Sequence, residues 1–572
     1  MKKIIIIIIF LVSNISFAQI TLTNETQGEF NKIHNEKVYL HYNSNFLLTG
    51  ESLKYKAYVL NSTTNSLSDL SKIAYIELVG KENQSVFKHK IKLTKGQGNG
   101  DYLLTSNIKS GNYKLIGYTL WMKNQKQETF FIENITIINP FENKLLSHIN
   151  DSVKTITPII NNHKKLIYID KKAFKKREKV SLNIDKIIKN KSLGNYSISV
   201  RKFDSIKKDN KTSSLDFLKS KTFFQKKINI GQQFFLPELR GNILYGSISS
   251  NQPEKNVSRV KIGLSITGEN NYSRIIETNK NGQFIFNLNE IFDNSKAFIQ
   301  IIDPIKSNYT LTLKDLSNNS YKNLDFKEIK TSLEIDKLIQ KRSVFNQIEN
   351  AYMVKKSDVF LKNKNSTPAF KDIAVEFKLD DYTRFSSMKE IFIEIIENSW
   401  VKEKKGNYTF YVMGNQQNTS YNLLPIVLID GLIIQNHNDL FNINTKSLKS
   451  IWVYKDLYNF GAKLYQGIIA LETFKNDYGK DLSYYKKHHK IVNLFQPGVN
   501  KKYFNQKYSD NSFNRIPDFR HQLYWEPNLE LTEENTIVTF FTSDNIGTYE
   551  INIEGFSNSG EPISIKQYFK VE

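Results

Sequence analysis

The stretch PIVLIDGLIIQ, residues 425–435, decides how the surrounding part of the chain folds. Ile426 to Ile429 form an apolar run that predicts a buried strand, and Leu432 to Ile434 predict the second strand of a hairpin. Between them, Asp430-Gly431 is typical of a two-residue type I′ turn, because that turn needs positive φ and glycine adopts it without strain. The stretch therefore predicts a tight β-hairpin.

The residues on either side of the hairpin complete a small α+β domain. Downstream, Lys449 to Tyr454 predict a third strand, Gly461 a turn, and Ile468 to Thr473 a final strand. Upstream, Phe385 to Val401 predict a helix that Ser386 or Ser387 can cap. The apolar residues of this helix fall at helical spacing: Met388, Ile391, Phe392, Ile395 and Ile396.

Residues 380–476 resemble the plug domain of TonB-dependent outer-membrane receptors. The matching pieces are PIVLIDG, LKSIWVYKD, FGAKLYQG and IIALETF. The resemblance implies a domain that sits on or in an outer-membrane barrel. A generic α+β domain with the same hairpin is the alternative. Residues 475–572 are too few for the many strands of such a barrel, so we expect a plug-like domain without its own barrel.

An aromatic-flanked hairpin is a compact anchor for a partner. The candidate partner-binding residues are therefore Asp430, Gly431, Trp452 and Tyr454. The alternative is that these four residues only build the turn and the core.

The first 18 residues have the features of a signal peptide. Lys2 and Lys3 precede the apolar run Ile4 to Val12, and Ser16-Phe17-Ala18 predicts cleavage after Ala18. The chain has no cysteine, which excludes a lipoprotein anchor, disulfides and thiol chemistry. We expect export, either to the periplasm or to association with the outer membrane, and no transmembrane segment in the mature chain.

In most of the remaining chain, apolar and polar residues alternate over short segments, which predicts short strands and favours β-sandwiches. In the predicted domain 19–145, residues 37–59 and 110–124 resemble the MG2 domain of the α2-macroglobulin family. A second sandwich with a polar connector is expected at 160–235. Residues 236–315 resemble the carboxypeptidase-regulatory-like domain, with a hairpin turn at Asn281-Gly282.

Three further segments complete the predicted organisation. Residues 316–379 hold a helix at 331–353 and a linker, and 477–515 form a second linker. The apolar residues expected on one face of the helix are Leu333, Ile335, Leu338, Ile339, Val344, Phe345 and Ile348. That face would serve either a docking surface or packing on a neighbouring domain. Residues 516–572 resemble a macroglobulin-type β-segment, in which Trp525-Glu526-Pro527 is expected to lie between strands.

The predicted fold class is thus mainly β: a multidomain chain of immunoglobulin-like and macroglobulin-like sandwiches plus one small α+β plug-like domain. This domain order resembles a family of exported Bacteroidetes proteins. A plug-like domain without a barrel, joined to β-sandwich spacers, favours a non-catalytic envelope protein that docks on an outer-membrane β-barrel protein or its accessory proteins. The alternative is a macroglobulin-like protease-binding protein without a thioester, with 204–233 as its bait segment.

Catalysis and cofactor binding have little support in the sequence. No GxSxG, HExxH or CxxC motif is present, and the SxxK match at Ser205 and Lys208 lies in a polar connector. His488-His489 lacks further ligands at metal-binding spacing, so no metal and no cofactor are expected. The formal net charge of +23 comes from dispersed lysines, which favours a solvated surface over nucleic-acid binding.

Overall fold

The computed structural model describes residue 28 and residues 30–142, 147–148, 167–185, 193–203, 211–220, 234–252, 255–302, 309–321, 324–361, 368–414, 423–478, 490–508 and 515–572. They fall into two compact units. The larger unit draws on 20–241, 316–362 and 497–572, and the smaller on 242–315 and 363–496. Strands predominate in both, which confirms the mainly β fold class. The predicted signal peptide and His488-His489 lie outside the described residues.

The first sandwich of the larger unit has two sheets, ordered β1-β3-β6 and β2-β8-β7-β4-β5. Its strands are β1 (Glu36–Tyr42), β2 (Phe46–Leu48), β3 (Ser52–Asn61), β4 (Ile73–Val79), β5 (Ser85–Lys92), β6 (Gln97–Leu103), β7 (Gly111–Tyr118) and β8 (Phe131–Ile138). Leu53, Tyr55, Ala57 and Val59 are all buried, as their alternation predicts, but Lys56, Tyr58 and Leu60 on the other face of β3 are buried too.

The second sandwich of the larger unit is built from two distant parts of the chain. Its strands are β10 (Ile167–Ile169), β11 (Ala173–Phe174), β12 (Lys179–Ile184), β13 (Gly194–Lys202), β31 (Gln522–Leu531), β32 (Thr536–Phe541), β33 (Gly547–Phe556) and β34 (Pro562–Val571). The two sheets are ordered β10-β12-β32 and β11-β34-β33-β13-β31. Residues 167–202 and 522–571 thus share one core, whereas the sequence analysis assigned them to separate domains.

One strand of this sandwich contradicts a prediction. Trp525, Glu526 and Pro527 lie inside β31 and not between strands. Pro527 is tolerated there because β31 is the last strand of its sheet, where one side of the backbone needs no ladder partner.

The larger unit also contains helices α1 (Ser214–Ser220) and α2 (Leu333–Ala351). The side chain of Ser332 caps α2, which confirms the predicted helix. Ile335 and Ile339 pack against the first sandwich. Two short ladders pair β9 (Ser147–His148) with β20 (Lys330–Thr331) and β21 (Val359–Phe360) with β30 (Lys501–Lys502).

The predicted apolar face of α2 is partly wrong. Leu333, Leu338 and Val344 are exposed, whereas Arg342 and Ser343 are buried. The buried stripe is rotated because Arg342 reaches a buried carboxylate, Glu51, in the first sandwich.

The smaller unit contains a sandwich, here called the small sandwich, with sheets β17-β14-β19 and β16-β15-β18-β29. Its strands are β14 (Asn242–Ser250), β15 (Lys261–Ile266), β16 (Tyr272–Glu277), β17 (Gln283–Leu288), β18 (Lys296–Ile301), β19 (Tyr309–Lys314) and β29 (Lys490–Asn493). The predicted turn at Asn281-Gly282 forms, with φ of 72° at Gly282. However, it joins strands of different sheets, so the predicted hairpin is wrong.

The rest of the smaller unit, residues 368–414 and 423–478, is here called the hairpin domain. It contains α3 (Met388–Glu394), β22 (Val375–Lys378), β23 (Ser399–Lys404), β24 (Asn407–Val412), β25 (Ile426–Ile429), β26 (Leu432–Ile434), β27 (Leu448–Phe460) and β28 (Lys463–Thr473). Ser387 and Glu390 form a capping box at the start of α3. The helix ends earlier than predicted, because residues 399–404 pair as a strand with β24.

Five strands of the hairpin domain form one sheet, ordered β22-β27-β28-β25-β26. One face of this sheet packs against α3, whose predicted apolar residues are all buried. Among the described residues, no helix is long and apolar enough to cross a membrane.

Candidate partner-binding site

The predicted hairpin turn forms as a type I′ turn. Asp430 and Gly431 have φ of 46° and 84°, and Ile429 pairs with Leu432 on either side. A Cβ on Gly431 would lie 2.6 Å from the Cβ of Asn271, so glycine is also needed for close approach to the small sandwich.

The carboxylate of Asp430 is buried and ties three segments together. Its side chain is 1% exposed. Its oxygens accept hydrogen bonds from the backbone N–H of Thr473 at 2.8 Å, the Thr473 hydroxyl at 2.6 Å and the backbone N–H of Tyr478 at 2.9 Å. Burial raises the pKa of Asp430, although these donors oppose the shift. This placement favours the turn-and-core interpretation for Asp430 and Gly431.

Trp452 and Tyr454 lie on β27, on the sheet face opposite α3, and are half-buried. The ammonium of Lys371 lies 4.9 Å from the Trp452 ring centroid and also pairs with Glu472. Tyr454 meets Tyr458 edge to face at 5.7 Å. These three aromatic residues, Trp452, Tyr454 and Tyr458, are here called the aromatic strip.

The face that carries the aromatic strip is only partly covered by the small sandwich. Ile275 and Ile302 of the small sandwich pack on Leu428 and Ile433, near the β25–β26 side of the sheet. The backbone N–H of Ile433 donates to Ser265 Oγ at 3.0 Å. Ile275 also accepts a hydrogen bond from the backbone N–H of Ala462, in the turn after β27, at 2.9 Å, so the small sandwich reaches the Tyr458 end of the aromatic strip and leaves its rings partly exposed.

The indole Nε1–H of Trp452 has no hydrogen-bond acceptor among the described residues, although the atom is buried. An unmade buried hydrogen bond costs about 1–3 kcal/mol.

Beside the aromatic strip, β22 forms an open edge of the sheet. It pairs with β27 on one side, and Glu376 lies opposite Trp452. In the described part of the chain, no strand pairs with its other side. Val375 is 59% exposed. The predictions from sequence do not include this edge, although the alternation of Val375, Phe377 and Leu379 is a strand signal.

The structure therefore brings two of the four predicted site residues, Trp452 and Tyr454, next to an open strand edge, and places Asp430 and Gly431 in the fold. Edge main-chain groups and half-buried aromatic rings together can hold an extended polypeptide. Within the described ranges, no group of three or more His, Asp or Glu side chains could hold a metal ion.

Comparisons with known proteins gave distant structural matches alone. No family model and no curated protein matches the chain. Solved structures that match include Escherichia coli alpha-2-macroglobulin activated by porcine elastase, at 7% identity and a TM-score of 0.25 over 94% of this chain and 44% of that chain. Salmonella alpha-2-macroglobulin reacted with methylamine matches at 8% identity and a TM-score of 0.16, over 97% of this chain and 24% of that chain.

The Escherichia coli adhesin FdeC also matches, at 12% identity and a TM-score of 0.14, over 28% of this chain and 46% of that chain. The chain thus spans less than half the length of each of these proteins. At such identities and TM-scores the matches carry no argument about function, which rests on the geometry of the site.

Proposed function

We propose that this chain is a non-catalytic cell-envelope protein that docks on an outer-membrane β-barrel protein or its accessory proteins through the hairpin domain. The observation that carries the proposal is the juxtaposition of the open edge of β22 with the aromatic strip. The partner adds an extended segment along β22 and covers Trp452 and Tyr454. The envelope location rests on the signal peptide predicted from residues 1–18.

The protease-binding alternative has no supporting observation. Of its candidate bait segment, 204–233, the structure describes 211–220. In that part, Ser214 and Phe217 are buried, and Ser214 donates to Glu554 at 2.9 Å. A bait segment needs an exposed and accessible backbone, which Ser214 and Phe217 do not offer.

Placing a lysine on the open edge is expected to block docking. A charged side chain at an edge strand opposes the addition of another strand, so V375K should lower the recovery of the partner about tenfold. W452A should also lower recovery, because it removes the aromatic anchor. The measurement is a pull-down of the tagged chain from detergent-solubilised outer membranes, with bound proteins quantified by mass spectrometry.

I393K is the matched control for this experiment. Ile393 is 65% exposed on α3, in the same domain, and away from β22. It should leave recovery unchanged, and far-ultraviolet circular dichroism should show that all three variants fold. Equal recovery with V375K and the unchanged chain would overturn the β22 site. The absence of any stoichiometric envelope partner would overturn the proposed function itself.

A further inference from the structure

A cleft of about 940 Å³ lies in the larger unit, between the first and second sandwiches. This volume is in the range of sites that hold small ligands or short peptides. The cleft is lined by the start of β6, the end of β31 and the β21–β30 ladder, through residues that include Gln97, Asn99, Leu361, Asn500, Asn528 and Glu530.

β31 and the β21–β30 ladder present open strand edges, whereas the start of β6 is partly covered because Gln97 exchanges main-chain hydrogen bonds with Thr94 at 2.8 and 3.1 Å. β6 is the last strand of the β1-β3-β6 sheet, and β31 is the last strand of the β11-β34-β33-β13-β31 sheet. β21 and β30 pair only with each other. Over the residues that the structure describes, no further strand covers these edges, so main-chain N–H and C=O groups border the cleft.

The charges at the two sides of the cleft have opposite signs. Lys92 and Lys95 stand on the side of β6, and both are exposed. Glu530, Glu533 and Glu534 stand on the side of β31, and they are exposed as well. A simple anion would face the carboxylates and a simple cation would face the ammonium groups. A ligand that carries both charges at opposite ends satisfies both sides.

We propose that this cleft binds a short extended peptide, which adds to the edge of β31 as a β-strand and carries an acidic residue at one end and a basic residue at the other. Main-chain hydrogen bonds with the end of β31, beyond Pro527, which has no N–H, provide affinity, as in other strand additions. Lys92 and Lys95 take the acidic end, and Glu533 and Glu534 take the basic end. Amide side chains such as Asn528 and Asn99 suit a peptide backbone, since they can donate and accept. The inference is independent of the proposed docking through the hairpin domain.

Fluorescence anisotropy with the full chain and labelled synthetic peptides tests the proposal. The mixed-charge peptide ETVTVTK should bind more tightly than the acidic ETVTVTE and the basic KTVTVTK, by about fivefold, the size expected for one exposed charge pair. ETVPVTK should bind at least about tenfold more weakly than ETVTVTK, because proline removes a main-chain donor and disfavours a central strand position.

Charge reversals on the protein should exchange these preferences. K95E should favour the basic peptide, and E534K should favour the acidic peptide. A damaged fold would weaken all peptides alike, so an exchange of preference separates recognition from misfolding. K126E is the matched control, because Lys126 is exposed in the same unit outside the cleft lining. Bound ETVTVTK should also slow hydrogen exchange in residues 528–531, the end of β31 that lines the cleft.

Three results of the peptide-binding measurements would overturn the proposal. The first is no binding of ETVTVTK, and the second is equal binding of ETVTVTK and ETVPVTK. The third is a ranking of the peptides that K95E and E534K leave unchanged. Sedimentation of the unliganded chain as a dimer that ETVTVTK does not dissociate would also contradict it, because a second copy would then fill the cleft.

Discussion

Replacing Glu51 with alanine is expected to destabilise the larger unit by about 3–5 kcal/mol, the cost of leaving a buried charge without its partner. Arg342 donates to Glu51 through Nε at 2.8 Å and through Nη2 at 2.7 Å. Arg201 donates to the same carboxylate at 3.2 Å. All three side chains are less than a tenth exposed. E51A would therefore remove the carboxylate that both buried guanidinium groups share.

The triad has a large effect because its members come from three segments. Glu51 belongs to the first sandwich, Arg201 to β13 of the second sandwich, and Arg342 to α2. Hydrogen exchange measured in increasing urea should show that β13 and α2 lose protection at lower urea in E51A. D69A is the matched control, since Asp69 forms an exposed pair with Lys72 and should cost less than about 1 kcal/mol.

A second variant tests whether E51A loses stability through unbalanced charge or through lost packing. The triple variant E51L, R201M and R342M should recover most of the stability that E51A loses, because apolar side chains of similar size need no neutralisation. A cost of under 1 kcal/mol for E51A, or a triple variant less stable than E51A, would contradict the account.

Glu51 should also make the larger unit sensitive to acid. Burial alone would raise the pKa of Glu51, but Arg342 and Arg201 overcome it and lower the pKa from 4.5 to about 2. A carboxyl group with a depressed pKa in the folded state stabilises the fold above its unfolded pKa, and this contribution is lost as the pH falls through the folded pKa. The unfolding free energy should drop between about pH 4.5 and pH 2 in the natural chain, and this component should be absent in E51Q.

The sequence predicted the hairpin domain best because its signals are local. The apolar run Ile426 to Ile429, the turn residues Asp430 and Gly431, and the cap Ser387 each act within a few residues of their own position. The structure confirms the hairpin, the capped start of α3 and the burial of its apolar residues.

The second sandwich could not be predicted in the same way, because its pairing is non-local. Ser197 lies beside Glu554 on the adjacent strand, across more than half of the chain. Nothing in either segment specifies that partner. The rotation of α2 has a related cause, since Arg342 is buried only because Glu51 of a distant strand receives it. Likewise, Pro527 reads as a strand breaker until β31 is known to be an edge strand.

At the candidate site, too, local signals predicted some features and non-local contacts decided the others. Residue type and position on β27 pointed to Trp452 and Tyr454, which the structure leaves half exposed. Asp430 carries the same kind of hairpin signal, yet its acceptors are used by Thr473 and Tyr478. The tertiary structure is needed to distinguish a carboxylate that stabilises a turn from one that binds a partner protein.

Removing the carboxylate of Asp430 is the second change with a large expected effect. D430A would leave three donors without their acceptor in a buried site, so we expect a loss of about 3–5 kcal/mol from the hairpin domain. Hydrogen exchange of residues 426–473 should accelerate strongly in D430A. D381A is the matched control, because Asp381 is exposed in the same domain and should change the exchange rates little.

The pH dependence of Asp430 should have the opposite sign to that of Glu51. Because burial raises the folded-state pKa of Asp430, the protonated carboxyl is the form that the fold favours. Its contribution is fully present below the unfolded pKa and is lost as the pH rises through the folded pKa. The natural chain should therefore show greater protection from hydrogen exchange in the hairpin domain than D430A does. After correction for intrinsic exchange rates, this difference in protection should be larger at mildly acidic pH than at neutral pH.

This variant also separates the two roles considered for Asp430. If the carboxylate closes the fold, D430A will lower the recovery of an envelope partner only to the extent that residues 426–473 lose protection from exchange. If it contacts the partner directly, recovery will fall while protection persists. The three intramolecular donors around the carboxylate favour the first outcome. V375K should show the reverse pattern to D430A, with protection of the sheet kept and recovery lost, because Val375 lies at the open edge and not in the core.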